Sequence, residues 1–329
     1  MTDHKKLLSI VTPAYNEAEN VDEFYSRVLD STKDLNLDVE IIYINDGSRD
    51  TTIDVIRNQR DNDDRITIID LSRNFGKEIA LTAGLDYSSG DVAIVIDTDL
   101  QDPPELIPKL VECWLSGYDV VNAKRIGRRG ESLLKKVTSY IYYRLLFHIS
   151  AISIPADTGD FRLLDRKALD ALSKLREQHR YMKGMFFWVG FRQKEIEYER
   201  EARFKGKTKW NFFSLLNLAF DGLTSFSILP LRLASIIGFL AAFTGFLYGS
   251  VIVFKTLFFH EPVAGFTSLV VLITFFGGIQ LLSIGIIGEY IGRIFNETKN
   301  RPLYIVKDIK HSVFLKKSGV IDPNSQKCV

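Results

Sequence analysis

Ile94-Val-Ile-Asp-Thr-Asp-Leu-Gln-Asp-Pro-Pro-Glu105 is the stretch from which the rest of the chain can be read. An apolar, β-branched run from Val92 to Ile96 passes directly into two carboxylates one residue apart, Asp97 and Asp99. The run is nearly continuous in hydrophobicity rather than alternating, which predicts a strand buried on both faces. A strand of that kind ending in Asp-x-Asp delivers its acids at the carboxyl end of a sheet, where open α/β folds bind ligands. Acids so placed suit a hard divalent cation that keeps waters and takes further ligands from phosphate oxygens. Pro103 and Pro104 stop the strand and open a helix, with Pro104 in its first turn. An acidic strand-end loop without ligand chemistry has the same pattern, so the neighbouring motifs must decide.

Upstream, Leu8 to Pro13, Val39 to Ile44 and Ile66 to Leu71 have the same buried-strand character, and Asp119 to Ala123 follows downstream. Helical periodicity covers Ala18 to Leu35, the residues from Thr51, where Asp50 can cap, and the stretch after Lys77 through Ser88. Strands alternating with helices through short polar loops predict a mostly parallel sheet covered on both faces. Strand exits carrying Tyr15, Glu17, Asp46 and Asp97 would then converge on one sheet edge, where a nucleotide fits: an aromatic to stack, carboxylates for base or ribose, and a metal for the diphosphate. Asp46 in Asn45-Asp-Gly-Ser48 could equally be an Asx-turn residue. There is no Walker lysine-serine pattern and no Gly-x-Gly-x-x-Gly, which argues against ATPase and nicotinamide chemistry.

The chain has 329 residues, enough for one large or two ordinary domains, and a net charge of +1, so no global field points to nucleic acid. Cys113 and Cys328 are the only cysteines; they form neither a disulfide framework nor a metal knuckle, as expected in a reducing compartment. Met1 to Lys6 is polar and lacks the pattern of a signal peptide. Composition shifts after Pro230. Leu233 to Phe254 and Val263 to Gly288 carry no charge, and each is long enough to cross a hydrocarbon core about 30 Å thick. The short connection Lys255 to Pro262 makes them a hairpin. Arg232 on one side and Arg293, Lys299 and Arg301 on the other predict that both termini are cytoplasmic. Before the hairpin, Asn211 to Ser227 segregates Phe212, Leu215, Leu216, Ala219, Phe220, Leu223 and Phe226 from polar residues, predicting an interfacial helix. Gly245-x-x-x-Gly249 and Gly288-x-x-x-Gly292 permit close helix approach within the hairpin or between protomers. Leu303 to Ile309 is expected to add a strand to the catalytic domain, and Glu289 with Arg293 to form a surface pair. The domain boundaries are accordingly 1–210, 211–229, 230–292 and 293–329.

Pro13-Ala-Tyr-Asn-Glu17, Asn45-Asp-Gly-Ser48 and Asp97-Thr-Asp-Leu-Gln-Asp-Pro-Pro104 together resemble the signature loops of family 2 glycosyltransferases with the GT-A fold. Within that family the chain resembles the polyisoprenyl-phosphate glycosyltransferases, a group that includes dolichyl-phosphate mannose synthases and, more closely, bactoprenol glucosyltransferases. The resemblance extends over nearly the whole chain, the paired spans included. It implies an α/β GT-A sheet with an interfacial helix and a carboxyl-terminal transmembrane hairpin. It also implies inverting transfer of one hexose, glucose from UDP-glucose foremost, to polyprenyl (undecaprenyl) phosphate at the cytoplasmic membrane. Asp99 and Gln101, with Asp97 beside them, are implied to meet Mg²⁺ or Mn²⁺ and the donor diphosphate. Pro13, Tyr15, Glu17, Asp46 and Asp97 are implied to hold the donor, and Asp160 to lie near the reacting centre. Arg125, Lys135, Ser139 and Arg203 fall where the acceptor phosphate is held; the family often has arginine at the position of Lys135, which bears on bidentate binding there. Members form tetramers, so a homo-oligomer is expected.

The chemistry stands apart from the name. A phosphate monoester is already largely dianionic at neutral pH and needs positioning and charge shielding more than deprotonation. The basic runs Lys124 to Arg129 and Arg200 to Lys209 could supply shielding, or could face anionic headgroups. Asp160 could act as a base or orient substrate. Three alternatives remain: a GDP-mannose-dependent mannosyltransferase, a processive polysaccharide synthase (which would need a Gln-x-x-Arg-Trp motif absent here), and a non-enzymatic nucleotide-sugar binder.

Overall fold

The computed structural model describes residues 5–126, 158–199, 229–259 and 265–314. At its centre is an eight-stranded sheet in the order β7-β5-β6-β4-β1-β2-β3-β8. β1 (Leu7–Ala14), β2 (Asp38–Asn45), β3 (Ile66–Leu71) and β4 (Val92–Val95) form its parallel half, with β1 between β2 and β4. Every described residue of β3 and β4 is buried, as expected of strands covered on both faces. Alternate side chains feed two cores. Ile10, Tyr43, Ile68 and Ile94 pack on one side with Phe24 of α1 (Val21–Thr32), Ile56 of α2 (Thr52–Asn62) and Leu110 of α4 (Ile107–Leu115). Val11, Ile44, Ile69 and Val95 pack on the other with Ala80 and Leu81 of α3 (Lys77–Asp86).

β1 runs through Pro13 rather than stopping before it, with Pro13 in register with Ile44. The Ala14 carbonyl accepts from the Asp46 N–H on the β2 side, so Pro13 faces the β4 side. There the last register pair is Val11 with Val95, and a missing N–H costs nothing beyond the end of β4. The other half of the sheet is mixed. β6 (Thr158–Asp165) is antiparallel to both β4 and β5 (Val120–Arg125), and β7 (Gln193–Tyr198) is parallel to β5. Behind β6, α5 (Arg166–Leu172) and α6 (Met182–Trp188) extend the second core through Ala168, Leu169, Met182 and Phe186.

α7 (Leu229–Phe259) and α8 (Phe266–Thr298) form the apolar hairpin. Leu231–Ile252 and Leu269–Thr298 within them are long and apolar enough to cross a membrane, and neither is buried against the rest of the protein. Pro230 lies within α7 and not before it. Gly245 belongs to the hairpin itself: a Cβ there would come within 2.8 Å of the Phe276 ring, whereas Gly249, Gly288 and Gly292 face nothing so close among the described residues. Arg293 Nε donates to Glu289 at 3.2 Å, the expected pair one turn apart. α8 outruns the apolar stretch to Thr298 and meets the catalytic domain: Gln178 N–H donates to Glu297 at 2.8 Å, and Asn296 bonds His179 at 3.0 Å. The chain then re-enters the sheet as β8 (Val306–Lys310), antiparallel to β3, so the tail is part of the catalytic unit. The expected interfacial helix and the hairpin turn at 260–264 lie outside the described residues.

Candidate active site

The carboxyl ends of β1, β2 and β4 meet three loops. Asn16 adopts a left-handed φ of 53°, and its amide oxygen accepts the Arg49 N–H at 2.8 Å while its own N–H donates to Ser48 at 3.0 Å. Glu17 N–H donates to Thr52 at 2.9 Å, so the Pro-Ala-Tyr-Asn-Glu loop is tied to the exit of β2. Glu17 in turn accepts from the Asn20 amide at 2.6 Å, and Tyr15 is half-buried beside it. Thr98 anchors the acidic loop, its hydroxyl 2.9 Å from that of Thr12 and 3.0 Å from the Pro13 carbonyl.

Asp46 has both oxygens committed to backbone: Phe75 N–H at 2.7 Å and Gly76 N–H at 3.0 Å. Burial raises its pKa, and those two bonds oppose the rise. The Asx geometry of the motif belongs to Asn45, which accepts from Ser48 N–H at 3.3 Å. Gly47, at φ 65°, lets the two loops touch, because a Cβ there would lie 2.5 Å from the Asn74 nitrogen. Asp46 therefore shapes the loop that launches α3.

That loop delivers Lys77. Its ammonium lies 2.7 Å from Asp97 and 2.5 Å from Asp160, bridging the β4 exit to the first residues of β6. Burial would raise the Asp160 pKa, but Lys77, Lys183 and Arg162 outweigh it and hold the carboxyl well below the usual range. The same two acids hold the Lys77 ammonium above its ordinary value against the opposing effect of burial. Glu78 is pushed up to about 7 by burial and by the Asp160 charge; its carboxylate accepts the Met182 N–H at 2.9 Å. Arg162 shares the Asp160 face of β6, is fully buried, and stacks 3.9 Å from the Phe186 ring. Burial lowers it to about 10, which leaves it charged at neutral pH.

The remaining acids of the loop have separate partners. Asp99 is 7% exposed and accepts the Gln101 N–H at 3.1 Å across Leu100, whose φ is 59°. Asp102 is buried and pairs with Arg125 at 3.3 Å, while Tyr198 donates to the same carboxylate and receives Arg125 Nε at 3.0 Å. Burial and the Asp102 charge keep the Tyr198 phenol protonated. The Arg125 guanidinium crosses Gly159, where a Cβ would approach within 2.6 Å. Arg125 is thereby brought against the residue next to Asp160.

Asp97, Asp160 and Arg125 thus assemble around one end of β4 and β6, with Asp99 and Gln101 on the adjoining turn. Pro13, Tyr15, Glu17 and Asp46 cluster at the ends of β1 and β2. Lys135, Ser139 and Arg203 lie outside the described residues. Lys77, Asp102 and Tyr198 were not expected as site residues. Asp102 lies within the opening motif and Lys77 immediately precedes the expected helix through Ser88, but nothing in the spacing tells which partner each one meets. Among the described residues, no three His, Cys, Asp or Glu side chains converge to hold a metal unaided.

Comparison with known proteins places the chain. The model of glycosyl transferase family 2 matches residues 9–173, and that of the GtrB C-terminal hairpin matches 229–294. An uncharacterized glycosyltransferase of Bacillus subtilis, YkcC, is 48% identical over 91% of this chain and 93% of its own length. The SfII prophage-derived bactoprenol glucosyl transferase of Shigella flexneri is 46% identical over 91% of this chain and 97% of its own. Among solved structures, glucosyl-3-phosphoglycerate synthase of Mycobacterium tuberculosis overlays with a TM-score of 0.48 at 20% identity, covering 67% of this chain and 79% of that one.

Proposed function

From the premise that this chain is a family 2 glycosyltransferase of GT-A architecture with a GtrB-type membrane hairpin, we propose that it moves one glucose from UDP-glucose to polyprenyl (undecaprenyl) phosphate at the cytoplasmic membrane face. The observation that carries this reading is the juxtaposition, at one sheet end, of the acids Asp97 and Asp160 with the cations Lys77 and Arg125. The donor nucleoside lies against Pro13, Tyr15 and Glu17, with Asp46 shaping the adjacent loop. The acceptor phosphate is held by Arg125 together with Lys135, Ser139 and Arg203.

A divalent cation fits the donor set on one condition. The side chains supply only oxygens and too few of them for a closed cage, which suits Mg²⁺ or Mn²⁺ sharing its shell with diphosphate and water. Asp99, Gln101 and Asp97 would hold it, and it would neutralise the charge growing on the departing diphosphate. The protein's own part is positional. An oxygen of the acceptor phosphate forms a bond to the anomeric carbon as the bond to the donor β-phosphate oxygen breaks, inverting that carbon. No proton need leave the nucleophile, so Asp160, held ionised by Lys77, orients rather than deprotonates. Arg125, anchored by Asp102, screens the acceptor anion.

The test is transfer by purified protein with Mg²⁺ or Mn²⁺, radiolabelled UDP-glucose and undecaprenyl phosphate. A lipid carrying a single labelled sugar is expected, abolished in Asp99→Asn with the fold retained. Labelled polymer would favour a processive synthase, and transfer from GDP-mannose in preference to UDP-glucose would reassign the donor. Full activity in excess chelator would remove the metal.

A further inference from the structure

Lys77 opens α3, and the two acids it bridges come from segments far apart in the chain, the β4 exit and β6. Its side chain is 37% exposed, against 19% for Asp97 and 12% for Asp160, while the ammonium at its end is buried between the two carboxylates. Asp160 has little else to hold it. Its Oδ1 is buried with no hydrogen-bond partner among the described residues, and only Oδ2 is tied, to Lys77. Arg162 beneath it contributes charge but no bond: Nη2 donates to the Gly159 carbonyl at 2.7 Å, and Nε and Nη1 have no partner among the described residues. The rotation of the Asp160 carboxylate is therefore set from the Lys77 side. Lys77 is itself located by Asp46, through the Phe75 and Gly76 N–H bonds and the turn at Gly76, φ 96°.

We propose that Lys77 is a positioning residue for transfer, fixing Asp160 against Asp97 and linking the donor-side loop at Asp46 to the reacting centre. Its consequence for turnover rests on the transferase reading above; the pairing itself does not. Removing the ammonium leaves two facing carboxylates, one of them buried, with no shared donor, and Asp160 turns out of place.

Two measurements separate these levels. The first is amine acetylation followed by peptide mass mapping on the full-length protein in detergent. Lys77 should label more slowly than Lys33, whose side chain is 62% exposed, and Asp160→Asn, which removes one of its two carboxylate partners, should speed Lys77 labelling. Labelling of Lys77 as fast as Lys33, or unaltered by Asp160→Asn, overturns the pairing whatever the enzyme does. The second is kinetic, with wild-type synthesis of the lipid-linked sugar as its reference; absence of that product sinks the transferase reading and leaves the labelling result standing. Lys77→Met should lower kcat by about 100-fold, the scale of a misplaced reacting group, with donor KM changed by less than about threefold. Lys77→Arg, which keeps a charge and two donor prongs, should recover part of the loss. Wild-type kcat in Lys77→Met overturns the proposal, as does a loss confined to donor KM. Should Lys77→Met fail to fold, the split in kcat and KM is read from Lys77→Arg, and a wild-type kcat for a displaced guanidinium paired with an unchanged labelling pattern in Asp160→Asn overturns it equally.

Discussion

Replacing Arg125 with alanine tests how the acceptor side is built, because the arginine is half of a buried ion pair. Asp102 is 1% exposed and Arg125 12%, and among the described residues the one further side-chain bond to the Asp102 carboxylate comes from Tyr198. Deleting one partner of such a pair strands the other charge in a medium that cannot solvate it, at a typical cost of 3–5 kcal/mol. Tyr198 keeps its bond, so the lower end, about 3 kcal/mol, is the appropriate expectation. For a domain of this size that is a fall of about 6–12 °C in melting temperature. Thermal unfolding in detergent, followed by intrinsic fluorescence, measures it. Arg125→Ala/Asp102→Asn should recover most of the loss, since no charge is then stranded, and the double-mutant cycle should give a coupling of about 2–3 kcal/mol. Assayed below its melting temperature, the double variant should still show an acceptor KM raised more than its donor KM. A melting temperature for Arg125→Ala equal to wild type, with no coupling in the cycle, would refute the argument that Arg125 compensates Asp102. A raised donor KM instead would refute the assignment to the acceptor.

Two further outcomes follow from the loops around Lys77. The Glu78 carboxyl titrates higher folded than unfolded, so the folded protein binds its proton more tightly; the stability this brings is complete below about 4.5 and is lost as pH rises through about 7. Glu78→Gln keeps an acceptor for the Met182 N–H and should flatten the fall in melting temperature over that window; an unchanged slope would assign it to another group. Gly47→Ala should cost at least about 2 kcal/mol, from the left-handed strain and from a Cβ pressed on backbone atoms of Arg73 and Asn74 that cannot yield. An alanine variant melting within a degree of wild type would show that the two loops part easily.

The parallel half of the sheet was legible because its strands are buried on both faces and run as largely apolar, β-branched blocks from Leu8, Val39, Ile66 and Val92. β6 was not, since Asp160 and Arg162 interrupt its pattern, and they do so because one face of that strand lines the site. β7 escaped for a different reason: in Gln-Lys-Glu-Ile-Glu-Tyr only Ile196 and Tyr198 are buried, as at a half-wetted edge. The acids of the site announced themselves by their place after a buried strand. Their partners did not, because Lys77 and Asp160, or Asp102 and Tyr198, meet only once the sheet has brought separate crossovers together. The end of α8 was missed where the apolar run stops at Gly288, although the helix is carried on by contacts with Gln178 and His179.

That uninterrupted helix has a mechanical corollary. α8 is a rod whose last turns are bolted to the loop before α6 and whose continuation is stitched beside β3. Each residue spliced into such a rod advances it by about 1.5 Å and turns it by about 100°. The phase between hairpin and catalytic head is thus gauged by residue count over the stretch from Gly288 to Asn296.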